Sequence, residues 1–132
     1  MSNSQATGVA YADPEFTTCY ASAELGYAAA AQTAVTQATS KSTGVTSNTS
    51  AGQITMNNAS LATVTNVTFT LTNSLLSTRD VLILNVTNGT SGAYNAFVSS
   101  MAAGSATITL RNISGGALAE AVVINYAIIH CA

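Results

Sequence analysis

The sequence predicts an all-β protein: a single β-sandwich, jelly-roll-like, of about eight antiparallel strands, with an extended N-terminal arm in front of it. Three observations predict this. From residue 33 onward, apolar and β-branched residues alternate with polar ones at a period of two. Glycine and asparagine turn signals recur roughly every 8–12 residues, the spacing of a sandwich or barrel. No stretch carries a long helical stripe. At 132 residues the chain is the size of one domain.

The elements follow in order. Residues 1–32 hold the only proline, Pro14, three of the five acids (Asp13, Glu15, Glu24) and three of the five tyrosines. Their apolar residues follow neither period, so the segment reads as an arm. Tyr11, Phe16, Tyr20 and Tyr27 are its aromatic anchors and the candidate contacts to a partner; a loop packed on its own core is the alternative. Residues 33–132 read as the sandwich domain. Thr33–Lys41 alternates weakly and ends at a Ser42-Thr43-Gly44 turn. Gly52–Met56 is a short strand closed by Asn57-Asn58. Thr65–Thr72 alternates most clearly, with Val67, Phe69 and Leu71 on one face and Asn66, Thr68, Thr70 and Thr72 on the other. Val81–Thr87 is a denser apolar run, ended by Asn88-Gly89. Ala93–Met101 and Ser105–Arg111 form a hairpin about Ala102-Ala103-Gly104, with Ala106, Ile108 and Leu110 on a common face. After Gly115-Gly116, Ala121–Cys131 is the last strand.

Hydrophobic residues make up 48% of the chain and charged ones 6%, against roughly 25% charged in an ordinary globular protein. A core is affordable, but the surface is covered by Ser, Thr, Asn, Gln and Gly. Surfaces so poor in charge do little to keep copies apart and suit a protein that lives in an assembly. The three cations, Lys41, Arg79 and Arg111, cannot neutralise a run of phosphates, which argues against nucleic acid as a partner. No apolar run reaches the roughly 18 residues of a membrane helix; the longest, Ala121–Cys131, is broken by Asn125. The first residues carry neither a basic nor an apolar signal region, so synthesis in a cytoplasm is expected.

Residues that could carry chemistry are few. His130 is the only histidine, and adjacent strand residues such as His130 and Cys131 face opposite ways and share one ion poorly. Asp80 follows Arg79 at the start of a strand, where a local turn or surface ion pair is expected. Glu120 is expected to blunt an edge or cap a turn. No phosphate loop or dinucleotide fingerprint occurs. The sequence therefore predicts no enzyme: no catalytic residue, no metal ligand and no cofactor. Cys19 and Cys131, if bonded, would close nearly the whole chain into a loop worth up to about 4–5 kcal/mol; two separate thiols are the preferred reading. Asn-x-Ser/Thr triplets at Asn48, Asn58, Asn66, Asn85, Asn88 and Asn112 are read as part of an uncharged outer face able to hydrogen-bond water, sugars or another chain.

The runs Thr36-Gln-Ala-Thr-Ser-Lys-Ser-Thr-Gly-Val-Thr46 and Gly52-Gln-Ile-Thr-Met-Asn-Asn58 carry a resemblance. So do Val67-Thr-Phe-Thr-Leu-Thr-Asn73, Gly104-Ser-Ala-Thr-Ile-Thr-Leu-Arg-Asn112 and Ala119-Glu-Ala-Val-Val-Ile-Asn125. In this order, over residues 34–129, they resemble small structural proteins of tailed bacteriophages, including phages of cyanobacteria. The resemblance implies a β-sandwich on the virion: a decoration or cement protein on the outside of the head, capping capsomer junctions, with the major capsid protein and its own copies, as a homotrimer, for partners. Similar sandwiches serve in tail fibres and surface adhesion modules, which leaves a receptor-binding module for host glycans as the alternative.

Overall fold

The computed structural model describes residues 16–131. Eight strands form two four-stranded sheets: β1 (Gln32–Thr36), β2 (Val45–Thr46), β3 (Ala51–Thr55), β4 (Asn66–Thr72), β5 (Val81–Asn88), β6 (Tyr94–Ala102), β7 (Ser105–Asn112) and β8 (Val123–Ile129). The first sheet has the order β1-β3-β8-β5 and the second β2-β4-β7-β6. A single 3-10 turn, Ala29–Ala31, precedes β1. The all-β sandwich expected from the alternation is therefore what the chain forms.

The core is the sum of the period-two faces. Phe69 and Leu71 of β4 and Ala106, Ile108 and Leu110 of β7 meet Ile54, Leu82, Ile124, Tyr126 and Ile128 of the first sheet, with Val67 packed at the margin. On β4 the opposite face, Asn66, Thr68, Thr70 and Thr72, is exposed throughout. In β6 a bulge between Val98 and Ser100 resets the parity, so Val98 and Met101 both reach the core margin although they stand an odd number of positions apart.

The pairing departs from the all-antiparallel expectation. β1 runs parallel to β3, and β2 parallel to β4. The chain leaves β1, crosses to the second sheet as β2 and returns as β3, so the crossover lets sheet neighbours run in the same direction. Side-chain alternation is identical in parallel and antiparallel strands, so periodicity carries no direction. The departure also takes the fold away from an all-antiparallel jelly roll.

The expected first strand is shorter than its pattern. β1 stops at Thr36, and Lys41 lies in a turn, buried to 3% exposure. Gln37, also buried, organises this crossover: its Nε2 donates to the carbonyls of Lys41 (3.0 Å) and Thr43 (2.8 Å), and its Oε1 accepts from the N–H of Asn57 (3.1 Å). The Lys41 ammonium donates to the carbonyls of Asn57 and Glu120, the latter at 2.6 Å. Asn112, expected on the outer face, is fully buried instead. Its amide donates to Leu61 O and Gly116 O, and its Oδ1 accepts from Ser114, closing the Gly115-Gly116 turn.

Candidate functional site

Between Phe16 and Ala28 the chain forms no helix or strand, and every residue from 16 to 30 is exposed. Phe16 is 67% exposed, Tyr20 91% and Leu25 88%. Tyr27 is where this segment meets the sandwich. The N–H of Ile128 in β8 donates to Ser50 O just ahead of β3, while the Ile128 carbonyl accepts from the Tyr27 hydroxyl. Gln32 Nε2 donates back to Tyr27 O at 3.0 Å. Of the four predicted anchors, Tyr27 thus touches the sandwich, Phe16 and Tyr20 stand away from it, and Tyr11 lies outside the described residues.

The surface beside Tyr27 is the outward face of the first sheet. Its register places Val81 opposite Ile129, and Ile83, Ala127 and Ala51 in one row. Val81, Ile83 and Ile129 are each about half exposed, at 50%, 49% and 51%. The next row is polar: Asn85, Asn125 and Gln53, with Gln53 Nε2 donating to Asn125 Oδ1 at 3.0 Å. Nothing charged stands on the outward positions of these strands. A groove of about 450 Å³ runs between Leu25-Gly26-Tyr27 and Ala127–His130. Leu25 and the Val81–Ile83–Ile129 strip did not emerge from the sequence reading. The signal was present in β5: Val81-Leu82-Ile83-Leu84 is apolar at both parities, as in a strand covered on both faces.

His130 and Asp80 lie at this same end. Asp80 Oδ2 accepts from the Ser77 N–H (2.8 Å) and from His130 Nδ1 (3.0 Å), and Oδ1 from the Cys131 N–H (3.1 Å). These bonds, led by that of the Ser77 backbone, hold the carboxyl down at about 2. Asp80 thus serves the local turn expected of it, and also ties down the chain after β8. His130 is better fixed than its place in the sequence suggested, although its side chain remains 51% exposed. The pair supplies two parts of an acid–base relay, but among the described residues no hydroxyl or thiol bonds the other His130 nitrogen, as an activated nucleophile requires. Among the described residues no three His, Cys, Asp or Glu side chains converge on a metal position. Cys19 and Cys131 are free, exposed thiols.

At the opposite end, Glu120 caps a turn: its Oε1 accepts from the Thr90 N–H at 2.8 Å, which draws its carboxyl below the usual range. Burial, with Glu120 alongside, pushes the Tyr94 phenol well up. This cluster holds loops together beside a groove of about 260 Å³ that Val86–Gly92 and Tyr94 line. Among the described residues no helix is long and apolar enough to cross a membrane. Comparison of the chain with protein-family models, with curated proteins and with solved structures finds no match, so the functional reading rests on the residues above.

Proposed function

We propose that this chain is a non-enzymatic assembly protein, a capsid decoration or cement protein on the outside of a tailed-phage head, held in place through its arm and the apolar strip beside it. The observation that carries an assembly role is the exposure of Phe16, Tyr20 and Leu25 on the arm together with that of Val81, Ile83 and Ile129 on the first sheet. Burying side chains of this kind is worth roughly 1.5–3 kcal/mol each, so a partner that covers them binds with a large driving force. The near absence of charge supports the same reading, since little desolvation of ions opposes contact. The phage head, the major capsid protein and the homotrimer are what the resemblance of the segments between residues 34 and 129 implies. In this reading the protein is made in the host cytoplasm and ends on the virion surface.

The exposed Asn66-Thr68-Thr70-Thr72 face of β4 favours a second reading, a tail-fibre module whose hydroxyls and amides bind host glycans. Electron cryomicroscopy of the intact particle separates the two. Density for the sandwich between capsomers on the outer head is expected. Density on a fibre would establish the second reading, and a particle without the protein would overturn both.

A further inference from the structure

We propose that the arm of one copy docks on the first sheet of a second copy, adding as a strand along the free edge of β5 and laying its aromatic side chains over Val81, Ile83 and Ile129. The inference rests on the assembly reading and names the arm's partner as another copy of this chain.

The acceptor is an open edge. Among the described residues β5 ends the first sheet and pairs only with β8, and from Val81 to Val86 its register is unbroken, the irregularity coming after Val86. Exposed edges are commonly blunted by proline, lysine, an inward charge or an early bulge. Val81–Asn88 contains no proline and no charge. A row of N–H and C=O groups is thereby offered to an added strand.

The donor matches it. Among the described residues, Phe16 to Gly26 make no backbone-to-backbone hydrogen bond, which leaves a row of donors and acceptors for an added pairing. In an extended conformation Phe16, Thr18 and Tyr20 fall on one face, the face that would meet the apolar strip. Between residues 16 and 28 the only charge is Glu24, and the outward face of the sheet has none, so no ion is stripped of water by the contact.

Reach and area select a second copy. Tyr27 is fixed at Ile128, and the eleven residues back to Phe16 span roughly 36–40 Å when extended. A domain of about 100 residues has a radius of gyration of only about 13 Å. A stable interface takes roughly 20–30 residues a side; a copy that donates residues 16–28 and receives another arm on its strip comes to about that number. Because donor and acceptor surfaces differ, each contact is head-to-tail, and a ring forms where the rotation from copy to copy closes.

The two native thiols provide the test, since Cys19 sits between Phe16 and Tyr20, and Cys131 follows Ile129 by two residues. The full-length protein at micromolar concentration is treated with a short bis-maleimide, run on a denaturing gel and peptide-mapped. Bands at dimer and trimer mass are expected, joined from Cys19 to Cys131, together with an oligomer by light scattering. Ile83→Lys, at a half-exposed position, should give a monomer that keeps the β-type dichroism spectrum and a cooperative melt independent of concentration, with no ladder. A Cys19–Cys131 link at monomer mass would place the arm on its own sandwich and overturn the inference. A monomeric wild type, an Ile83→Lys variant that still assembles, or links only between two Cys19 residues would overturn it as well. All of these are read on isolated protein, so each leaves the location on the particle to be decided separately.

Discussion

Two buried ionic side chains stabilise opposite ends of the sandwich by different means. Lys41 donates to carbonyls of two separate loops, at Asn57 and Glu120; burial pushes its ammonium below the ordinary value, and the nearby Glu120 opposes that shift. Lys41→Met keeps the aliphatic bulk but leaves both carbonyls without their donor. With unmet buried groups costing about 1–3 kcal/mol, a loss of about 2 kcal/mol is expected in urea unfolding with little change of slope. Asp80 acts through its carboxylate, whose folded value of about 2 lies below the ordinary 3.8. Such a group contributes stability that is fully present above pH 4 and lost as pH falls through 2, because the unfolded chain takes up the proton first. The melting temperature should therefore drop between pH 4 and pH 2, and Asp80→Asn should have a lower melting temperature at neutral pH and a shallower acid drop. An unchanged acid limb in Asp80→Asn would assign the drop to other carboxylates, Glu120 foremost.

Among the strands, β3 shows what the packing of the two sheets demands of sequence. Gly52 lies in register with Tyr126, whose ring crosses over it so that the hydroxyl reaches Ser47 and Thr49. A Cβ at residue 52 would stand 2.5 Å from Thr33 O and 2.8 Å from the Tyr126 ring. The first of these is backbone of the neighbouring strand and cannot move aside alone. Gly52→Ala should therefore cost about 1–3 kcal/mol, as overpacking does, and should loosen β1 first; hydrogen exchange at Thr33–Val35 would report it. The sequence showed Gly52 only as the start of a short strand. The strong alternation of β4 and β7 identified their core faces directly, since Phe69, Leu71, Ile108 and Leu110 are each a large buried apolar residue between polar ones. β2, with two residues, was too short for a period to show.

For the molecule as a whole, the described part of the arm before Tyr27 adds nothing to the core, which draws on residues from Val35 onward. Deleting residues 1–26 should leave a cooperative thermal transition within a few degrees of the full chain and an unchanged β-type far-ultraviolet dichroism spectrum. Extending the deletion through Ala31 also removes Tyr27 and its bond to Ile128, and should lower the midpoint further. Collapse of the shorter truncation to a coil spectrum would show that the arm belongs to the fold. The candidate surface was half legible beforehand. The arm's aromatics stood out because no period absorbed them, whereas the strip that accompanies them did not, because Val81, Ile83 and Ile129 belong to runs that read as core.

The sequence by itself determined the all-β class, the inward faces of β4 and β7, the turns at Asn88-Gly89 and Gly104, and the uncharged character of the surface. These follow from local chemistry: side-chain period, backbone preference and composition. Only the tertiary structure decided that β1 and β2 pair in parallel, that Lys41 and Asn112 are buried, that Asp80 holds His130, and that an apolar strip adjoins the arm. Each of these depends on which strands become neighbours. Strand neighbours are chosen by contacts between residues far apart in the chain, and the period of any one strand is the same whichever neighbour it takes.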